Sequence, residues 1–585
     1  MKVLLTSLNS KYIHTNLAIR YLNTYCEDIE AVNFSIKEFT INDHIPEILR
    51  EIFKERPDIL CFSCYIWNIE ETIKLVQLYK SIAPTTKIIL GGPEVTYDAV
   101  HWMNKIEEID FIVKGEGEET YYQLIKHLIK GQEYKDIKGI VYRENPKNIR
   151  ENPNRELLVL DKIPFPYGKN LSNLENKIIY YESSRGCPFK CQYCLSSTIE
   201  GVRYISLDRV KKDLTFFINA GVKQVKFVDR TFNCDRNRTK AIVEFIIGKG
   251  GKTNFHFEFA ADLIDQELLE IFKSAPIGMF QLEIGIQSTH LPTLKEIQRI
   301  NNFEKIKRAV HSIKSYNNIH QHVDLIAGLP YEDYNTFKNS FNEVYNLKAD
   351  MLQLGFLKIL RGSAIESNKE KHGYKYSPFP PYEVLSNNYI SYEDIVKLKL
   401  VEEILERYSN SHIFDYTIDF LIENKYPTPF SFFEHFSQFW EERNLFNISH
   451  SQKNLYKIFR DFLIYYHGED IHILMDLLKF DYLLTHKGPL PDFLEGYSSK
   501  RNKKEKIFDF LKEPENIAKY LPEFIGRTSK DIYKHVHFEE FNGRIGNFIG
   551  IEGKSNALES FTLVFYFPKQ RINIINKAIY KKIIL

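Results

Sequence analysis

The chain has 585 residues, of which 43% are hydrophobic and 26% charged, so it is long enough for several domains that each bury a core. Its 78 basic and 77 acidic side chains give a formal net charge of +1. This balance gives no strong signal for a nucleic-acid partner, although a chain with such a net charge can still have a local basic patch. No apolar run reaches the ~18–20 residues of a membrane helix, and the apolar N-terminal stretch is too short for a secretory leader. The 7 cysteines, an odd number, favour a reducing compartment over a disulfide scaffold, so we expect a soluble, cytoplasmic protein.

Residues 1–136 alternate short apolar runs with helical patterns, which predicts a parallel, doubly wound sheet. The predicted strands are Val3–Ser7, Ala31–Ile36, Asp58–Trp67, Lys87–Leu90 and Asp110–Val113. Ligands of such sheets bind beyond the carboxyl ends of the strands, so the loops that follow these strands are the expected binding loops.

Cys61 and Cys64 lie three residues apart in the third of these strands. Strand residues at that separation point to opposite faces, so the two thiols could not chelate one ion. We interpret them as buried strand thiols.

A connector is predicted over residues 137–175. Gly139–Arg143 and Glu156–Leu160 could pair in it as a hairpin, and Ile163–Gly168 would be a linker.

A second domain is predicted over residues 176–376, where strand candidates again precede helical stretches. These strands are Ile178–Ser183, Gln224–Asp229, Asn254–Phe259, Phe280–Ile286, His322–Ala327 and Met351–Leu357. Six strand–helix units suit a partial (β/α)6 barrel, in which the chemistry sits at the carboxyl ends of the strands.

The most specific motif is a cysteine cluster after the first strand of this second domain. Cys187, Cys191 and Cys194 are spaced C-x3-C-x2-C, which lets thiolates of one loop converge on one metal centre. A structural zinc site needs four ligands, and no other Cys or His lies close enough in sequence to be the obvious fourth. Three thiolates on a [4Fe–4S] cluster would leave one iron open to a small molecule, and zinc is the alternative.

The stretch Ser184–Cys194 resembles the signature of the radical S-adenosylmethionine (SAM) enzymes, and Tyr193 matches the aromatic residue common before the last cysteine. The resemblance implies that the amino and carboxylate groups of SAM chelate the open iron. It also implies that an electron, from a donor such as flavodoxin or ferredoxin, cleaves SAM to methionine and a 5′-deoxyadenosyl radical. The protein's part would be to position SAM and substrate and to exclude water.

Later strand ends carry the same resemblance. Glu283–Ser288 is similar to the family's E-x-G-x-Q-S, and Asp324–Pro330 resembles the adenine-side strand and turn. Asp229–Asn233 departs from the family's Gly-Gly-Glu, so the contact to the amino group of SAM is open. The predicted SAM contacts are Tyr193, Glu283, Gln287, Ser288, Ile326 and Gly328. For Glu283 the alternative is an inward-facing barrel residue satisfied by its neighbours.

The loops of the first domain are similar to those of cobalamin-binding radical SAM proteins. The predicted cobalamin contacts are Ser63, Gly91, Gly92, Gly115, Glu116 and Gly117, whose small residues would let a large planar ligand approach the backbone. The first loop contains His14 but neither the Asp nor the Gly of the Asp-x-His-x-x-Gly motif that supplies a cobalt ligand. Either cobalamin binds without a protein histidine, or the fold persists without the cofactor.

Residues 377–585 change character to amphipathic helices rich in Phe and Tyr, followed by alternating strands. The predicted helices are Ile390–Tyr408, Tyr416–Glu423, Phe430–Arg443 and Gln452–His467, and the strands are Tyr533–Phe541 and Phe561–Phe567. His535 and His537 would share one face of a strand, and we favour exposed strand histidines over a metal pair. The arrangement resembles the subfamily of cobalamin-binding radical SAM proteins with a C-terminal domain of unknown function.

The resemblance implies an α/β enzyme that depends on cobalamin and methylates or cyclises an unactivated carbon of an unidentified small-molecule or macromolecular substrate. Two alternatives are open. One is a radical SAM enzyme with a vestigial cobalamin domain that acts on RNA or protein, and the other is a non-catalytic iron–sulfur or zinc protein.

Overall fold

The computed structural model describes residues 1–585 except 147, 169–170, 172–173, 496–503, 552–559, 570–573 and 576. It forms two compact units. The first contains Met1–Ser312, Ile326–Asp333 and Gly355–Tyr392, and the second contains Ile313–Leu325, Tyr334–Leu354 and Glu393–Leu585. Within the described ranges, none of the helices combines the length and hydropathy of a bilayer-crossing segment. The predicted boundaries at residues 136, 175 and 376 stay predictions.

A seven-stranded sheet, in the order β2-β1-β3-β4-β5-β6-β7, forms the N-terminal part of the first unit. Its strands are β1 (Lys2–Asn9), β2 (Asn33–Thr40), β3 (Ile59–Ser63), β4 (Lys87–Gly91), β5 (Phe111–Val113), β6 (Ile140–Asn145) and β7 (Asn148–Glu151). Its helices are α1 (Leu17–Tyr25), α2 (Ile45–Glu55), α3 (Ile69–Ile82), α4 (Pro93–Thr96), α5 (Ala99–Lys105) and α6 (Gly117–Lys130). The strands β1 to β5 are parallel, as predicted, and β6 and β7 are added antiparallel.

The two faces of this sheet are buried in separate apolar clusters. Leu4 and Cys64 belong to one cluster, and Leu5 and Cys61 belong to the other. The two cysteines therefore lie on opposite sides, as predicted from their spacing. The strand contains Cys61 and ends at Ser63, four residues before the predicted end at Trp67, so Cys64 directly follows it.

The predicted hairpin partner in the connector was wrong. β6 pairs with β7 (Asn148–Glu151) and not with Glu156–Leu160. The connection between β6 and β7 is far shorter than the one that the predicted partner would need. A shorter loop loses less conformational entropy when its ends are brought together. The Asn152 side chain then donates to the carbonyls of Tyr134 at 2.8 Å and Ile137 at 2.7 Å, which directs the chain away from the sheet.

The second sheet has six strands in the order β15-β14-β13-β12-β11-β8, and every predicted strand of this domain is present. The strands from this region are β8 (Ile179–Tyr181), β9 (Ser184–Gly186), β10 (Val202–Tyr204), β11 (Gln224–Phe227), β12 (Asn254–Phe259), β13 (Phe280–Gln287), β14 (His320–Ala327) and β15 (Met351–Phe356), with a short pair β16 (Lys375–Tyr376) and β17 (Val384–Ser386). The helices are α7 (Leu207–Asn219), α8 (Arg236–Lys249), α9 (Gln266–Lys273), α10 (Leu291–Glu296), α11 (Phe303–Tyr316), α12 (Tyr334–Tyr345) and α13 (Ala364–Ser367). β8, β11, β12 and β13 are parallel neighbours, and β9 pairs only with β10.

Phenylalanines and polar residues alternate along β12, which separates the two faces of this sheet. Phe255, Phe257 and Phe259 are buried, whereas His256 and Glu258 lie on the opposite face. Lys226 of β11 and Glu283 of β13 meet His256 on that face. The inner face of the barrel is therefore polar and ionisable.

The C-terminal part of the second unit is a helical bundle followed by a three-stranded antiparallel sheet. Its helices are α14 (Tyr392–Ile404), α15 (Asp415–Asn424), α16 (Pro429–Glu442), α17 (Gln452–Tyr466), α18 (Ile471–Thr485), α19 (Asp492–Glu495), α20 (Lys504–Lys512), α21 (Pro514–Tyr520) and α22 (Ser529–Tyr533), and its strands are β18 (Val536–Phe541), β19 (Phe561–Tyr566) and β20 (Ile579–Ile583). Stacked rings form its core, with Phe436 and Phe462 centroids 4.5 Å apart. The four predicted helices and two predicted strands are all present.

The predicted strand that contained both His535 and His537 is shorter than expected. α22 runs to Tyr533, so β18 begins at Val536 and only His537 belongs to it. The two histidines therefore do not share a strand face, and each lies near its own carboxylate, Asp531 or Glu539.

Gly92 is the glycine whose replacement we expect to destabilise the first sheet most directly. Its φ of 109° lies in the left-handed region, and an added Cβ would lie 2.4 Å from the backbone oxygen of Cys64. We expect Gly92→Ala to lower the free energy of unfolding by about 2–4 kcal/mol, from strain and backbone displacement together. Urea unfolding followed by circular dichroism measures it.

The matched control is Gly131→Ala at the end of α6. Gly131 has a φ of 62°, but nothing lies within 4 Å of an added Cβ, so only the backbone conformation is strained. We expect a loss of about 1 kcal/mol there. Equal losses in the two variants would contradict the assigned role of the Cys64 contact.

Candidate functional site

The three clustered cysteines lie in the loop that connects the paired strands β9 and β10. An added Cβ on Gly186 would lie 2.1 Å from the Gly201 carbonyl, so the hairpin requires glycine there. Cys191 is buried, and Cys187 and Cys194 are half-buried. Burial raises the pKa of the Cys187 thiol, and the Cys194 and Cys191 thiols raise it further. A hydrogen bond with Thr231 acts in the opposite direction and lowers this pKa.

The donor set of this loop fits an iron–sulfur cluster. Within the part of the chain that the structure describes, no three His, Cys, Asp or Glu side chains are placed to hold a metal ion. A zinc site needs four such ligands around a single point, whereas a cubane cluster is held by thiolates that stand further apart. Three thiols from one loop are thus suited to a cluster with one open iron.

Arg299 connects the cysteine loop to the carboxyl end of β13. Its Nη1 donates to the Cys191 sulfur at 3.8 Å, and its Nη2 donates to the Gly285 carbonyl at 2.6 Å. The Phe189 ring packs 5.6 Å from the guanidinium carbon. Nothing in the spacing of the sequence pointed to Arg299, because its role depends on a contact 108 residues away.

Glu283, a predicted SAM contact, lies on the polar face of β13 and is held by two neighbours. Its carboxylate accepts hydrogen bonds from Lys226 Nζ at 2.9 Å and His256 Nε2 at 3.0 Å. Burial acts to raise the pKa of Glu283, but the hydrogen bond from His256 and the charge of Lys226 outweigh it and lower the pKa to about 2. Both interpretations of Glu283 stay open, because it is ionised beside the cysteine loop and also paired within the barrel.

Gln287 and Ser288 end the same strand and differ in how they are engaged. Gln287 has a φ of 73°, and its Oε1 is buried without a hydrogen-bond partner among the described residues. A strained residue with an unsatisfied acceptor is typical of a ligand contact. The Ser288 hydroxyl donates to Glu332 at 2.6 Å and accepts from the His290 amide at 3.0 Å, so it has a structural role of its own.

The other three predicted SAM contacts come together at one apolar cluster. Tyr193 and Ile326 both pack against the cluster that contains Ile297 and Leu329. Gly328 has a φ of 88°, and its carbonyl accepts from the Tyr374 hydroxyl at 3.1 Å. The structure therefore brings residues from distant parts of the sequence to the same place.

The loops predicted to hold cobalamin follow β3, β4 and β5. Ser63 is buried, and its Oγ has no partner within hydrogen-bonding distance among the described residues. The Gly91 carbonyl accepts a hydrogen bond from the Cys64 amide at 2.7 Å, and Gly92 packs against the same backbone. Gly115 has open space around it, whereas an added Cβ on Gly117 would lie 3.3 Å from Val113. An orphaned hydroxyl and an uncovered glycine are compatible with a bound ligand.

Glu116 and Glu118 connect this domain to the cysteine hairpin. Glu116 forms an ion pair with Arg203 of β10 and accepts from the Leu158 amide at 2.9 Å. Arg185, two residues before Cys187, pairs with Glu118 and donates to both oxygens of Glu182 at 2.8 Å. The sequence suggested Glu116 as a cobalamin contact, but its carboxylate is engaged with Arg203.

His14 reaches the inner face of the barrel through β8. Its Nδ1 forms a hydrogen bond of 2.8 Å with the Tyr180 hydroxyl, and burial lowers its pKa, as do Lys11 and Lys226. This bond engages one of the two ring nitrogens, so it does not test the prediction that His14 is no cobalt ligand, which stays a prediction.

A second region of contact links the β4 loop to the segment after β15. Glu94 accepts from the Tyr382 hydroxyl, and Asp98 pairs with Arg361. The Tyr97 hydroxyl forms a 2.8 Å hydrogen bond with Thr198 of the cysteine loop. The predicted cobalamin loops are thus held against the barrel on two sides.

Three family models match successive parts of the chain. The B12 binding domain model matches residues 3–125, the Radical SAM superfamily model matches residues 181–344, and the model for a protein of unknown function, DUF4080, matches residues 370–564. These matches define the class as radical SAM proteins with an N-terminal B12-binding domain. Within that class, the chain belongs to the cobalamin-binding radical SAM proteins that carry a DUF4080 domain.

Two curated relatives and one solved structure are among the most similar proteins. The chain is 26% identical over 305 residues to the 2-(S-pantetheinyl)-carbapenam-3-carboxylate methyltransferase of Streptantibioticus cattleyicolor, covering 49% of this chain and 45% of the relative. It is 26% identical over 368 residues to the cobalamin-dependent radical SAM methyltransferase TokK of Streptomyces tokunonensis, covering 59% of this chain and 53% of the relative. The chain therefore spans about half the length of these relatives.

The solved structure is that of the cobalamin-dependent SAM radical enzyme OxsB with aqua-cobalamin and SAM bound. It superimposes with a TM-score of 0.57 at 17% identity, covering 82% of this chain and 78% of that chain. At this identity the likeness concerns the fold, and it confirms the predicted combination of a Rossmann-like domain and a radical SAM barrel.

The ion pairs of Glu283 predict a pH-dependent contribution to stability. Its pKa is lowered in the folded chain to about 2, so the stabilisation is present above the usual carboxyl pKa and is lost as the pH falls from about 4.5 towards 2. We expect Glu283→Gln to lower the free energy of unfolding by about 2–3 kcal/mol at pH 6, and by clearly less at pH 3.5. Denaturant unfolding of both proteins at the two pH values measures it.

The matched control is Glu304→Gln, at an exposed position of α11 in the same unit. It should change stability by less than about 0.5 kcal/mol at either pH. A Glu283→Gln effect that stays constant between the two pH values would show that the carboxylate charge is not what matters.

Proposed function

We propose that this chain is a radical SAM enzyme that reductively cleaves SAM at a [4Fe–4S] cluster and uses cobalamin to methylate, or to cyclise, an unactivated carbon. The observation that carries the proposal is the loop of Cys187, Cys191 and Cys194, which Arg299 joins to the strand of Glu283. The B12-binding and radical SAM matches and the two methyltransferase relatives support it.

The residues of the chain would bind these groups and hold them in position. When bound, the cluster would supply one electron, SAM would be cleaved by it to methionine and a 5′-deoxyadenosyl radical, and cobalamin would supply a transferable methyl group. Glu283 would accept the ribose hydroxyls of SAM, since an ionised carboxylate can accept two hydrogen bonds. The unsatisfied Oε1 of Gln287 would accept a further one, and Tyr193 and Ile326 would cover the adenine. Arg299 would hold the Cys191 thiolate in place and neutralise part of its charge.

For cobalamin we propose the loops at Ser63, Gly91–Gly92 and Gly115–Gly117. The buried Ser63 hydroxyl supports this, because it has no described partner and would be satisfied by a polar group of a ligand. Glu116 would support this loop indirectly, because its carboxylate forms an ion pair with Arg203. Because the first loop lacks the Asp and the Gly of the cobalt-ligand motif, the cofactor would lack a histidine ligand from this loop.

One observation favours the alternative of a cobalamin domain that has lost its cofactor. Gly92 has to be a glycine because its backbone approaches that of Cys64 closely, and Glu116 forms an ion pair with Arg203. Both residues therefore have structural roles that do not depend on a corrin. Such an enzyme would still cleave SAM, and its substrate would be RNA or protein.

We further propose a one-electron donor such as flavodoxin or ferredoxin and a reducing, cytoplasmic location. Leu291, at the start of α10, and Ile300, after its end, are exposed at 75% and 81%. Lys295 of the same helix is also exposed, and a segment with exposed apolar and basic groups would suit an acidic carrier. The free thiols of the cluster loop support a reducing compartment.

The first prediction of the proposed function concerns the cluster and SAM. Protein purified without oxygen should carry about four irons and four sulfides. After reduction it should release 5′-deoxyadenosine from SAM even without substrate. Cys191→Ala should abolish both, whereas Cys234→Ala, in the same domain, should retain them.

The readouts are metal analysis, the visible spectrum and chromatography of the nucleoside. One zinc per chain with no brown chromophore would overturn the cluster assignment. A normal cluster without nucleoside would leave an iron–sulfur protein that is no radical SAM enzyme.

The second prediction concerns cobalamin. Reconstitution with hydroxocobalamin should leave a tightly bound corrin whose visible spectrum changes little in His14→Ala, because the first loop lacks the Asp and the Gly of the cobalt-ligand motif. Ser63→Ala should weaken retention several-fold, as expected for a lost hydrogen bond. A His14-dependent spectral shift, or nitrogen hyperfine structure from the protein in the Co(II) EPR spectrum, would refute the ligand claim. If the corrin is not retained at all, the vestigial-domain alternative holds.

A further inference from the structure

A cavity in the C-terminal part of the second unit is lined by two basic side chains, Arg544 and Lys582. Its volume is about 60 Å³, roughly twice the share of one water molecule in the liquid. The amide side chain of Asn547 and the ring of Phe561 also line it. The cavity can therefore hold a small polyatomic group.

The two basic groups at this cavity have no counter-ion in the chain as far as the structure describes it. Among the described residues, neither the Arg544 guanidinium nor the Lys582 ammonium group forms an ion pair or a hydrogen bond. Two like charges that share a cavity repel each other, and an anion between them removes that repulsion.

The acidic residue on the same face of the sheet is already engaged. Leu563 of β19 pairs with Glu539 of β18 on one side and with Lys582 of β20 on the other, so these three side chains share one face. Glu539 is buried, and its carboxylate accepts from Lys479 Nζ at 3.3 Å. It therefore neutralises Lys479 and leaves the charge of Lys582 available to a ligand.

Arg544 lies on a short turn, Gly543–Ile545, that α18 holds in place. The Arg544 amide donates to the Asn542 side-chain oxygen at 3.0 Å, and the Asn542 amide donates to Asp476 of α18 at 2.9 Å. Asp476 is itself buried and paired with Lys479 at 2.8 Å. Because the backbone of the turn is fixed, only the Arg544 side chain would have to become ordered when a ligand binds.

Lys582 is placed at the cavity by an aromatic ring. Its Nζ lies 5.6 Å from the centroid of the Phe561 ring, within the range of a cation–π contact. Such a contact orients the ammonium group but does not neutralise its charge.

The C-terminal segment as a whole is basic. Lys and Arg outnumber Asp and Glu in residues 500–585, although the complete chain is nearly balanced at +1. A local excess of positive charge attracts anions and raises their concentration near the cavity.

We propose that Arg544, Lys582 and Asn547 form a binding site for a phosphate group. The guanidinium can donate two parallel hydrogen bonds to phosphate oxygens, the ammonium group adds a second positive charge, and the Asn547 amide can donate a further hydrogen bond. The phosphate belongs either to the backbone of RNA or to a small phosphorylated compound. These residues take no part in the proposed cleavage of SAM, so the site is independent of that function.

The test is equilibrium binding to the full chain, purified without oxygen. One probe is inorganic phosphate, followed by the width of its phosphorus NMR line. The other is a labelled oligouridylate of about 20 nucleotides, followed by fluorescence anisotropy at two salt concentrations. The variants are Arg544→Gln and Lys582→Gln, and Arg544→Lys tests for partial rescue. Urea unfolding checks that each variant is folded.

The matched controls are Lys581→Gln and Arg527→Gln, which each remove one positive charge from the same part of the chain. Lys581 precedes Lys582 in β20, so its side chain lies on the opposite face, where it donates to the Lys519 carbonyl at 3.1 Å. Arg527 is exposed and pairs with Asp531 at 3.2 Å. Neither residue lines the cavity.

If the phosphate is that of RNA, Arg544→Gln and Lys582→Gln each bind the oligouridylate about tenfold more weakly, and the slope of log affinity against log salt falls by about one. If it is that of a small compound, RNA affinity is unchanged, and the broadening of the phosphate line is lost in both variants. Arg544→Lys retains part of the binding in either case. Both results support the site and identify its source.

The proposal is overturned if neither probe responds to Arg544→Gln and Lys582→Gln. It is also overturned if Lys581→Gln and Arg527→Gln weaken binding by as much, because the net charge would then be sufficient. These readouts do not depend on the cluster, on SAM or on turnover. A chain that binds phosphate as expected but releases no 5′-deoxyadenosine would refute the proposed function and leave the phosphate site in place.

Discussion

The buried guanidinium of Arg185 is the contact on which the arrangement of the first unit depends. It belongs to β9, the strand that ends just before Cys187, and it binds Glu182, which lies between β8 and β9, and Glu118 at the start of α6. Burial acts to lower the pKa of Arg185, but the two carboxylates outweigh it and raise it well above its usual value. Buried ion pairs add little net stability, because desolvation offsets the attraction, but removing one partner leaves an uncompensated charge at a cost of about 3–5 kcal/mol. The network therefore selects one relative placement of the cysteine loop and the B12-binding domain.

On the inner face of the barrel, too, a buried polar group without a partner is unfavourable, but only some of the groups there are paired. Lys226, His256 and Glu283 satisfy one another, so they keep their places whether or not a ligand is present. The side-chain Oε1 of Gln287, by contrast, is buried and has no hydrogen-bond partner within the described residues. Unsatisfied polar groups inside a folded domain destabilise it, and proteins concentrate them where a ligand provides the missing partner. The contrast between the two sets separates residues that build the barrel from residues that face its ligand.

Periodicity and motif spacing were sufficient to predict the elements and the cysteine loop, but not the contacts between distant segments. All six barrel strands could be found because apolar runs recur before helical patterns, and Cys187, Cys191 and Cys194 are close in sequence. Arg299 and Arg185 act through partners 67 to 108 residues away, which no local pattern reveals. Glu258 did carry a signal, since His256 and Glu258 alternate with phenylalanines along β12 and so had to face inwards. The partner of β6 was misplaced because propensity alone does not decide which of two extended segments closes the shorter loop.

Protein contacts anchor the loops expected to hold cobalamin to the barrel. These contacts would affect how two bound cofactors act together. Glu116 and Glu118 are tied to the hairpin by arginines, and Glu94 and Asp98 are tied to the segment after β15 by Tyr382 and Arg361. Loops that are already held lose less conformational freedom when a ligand binds, and they keep its position relative to a second site. Chemistry between two bound groups depends on their separation to within a fraction of an ångström. Charged contacts between the domains, rather than the cofactor itself, are therefore what would set that separation.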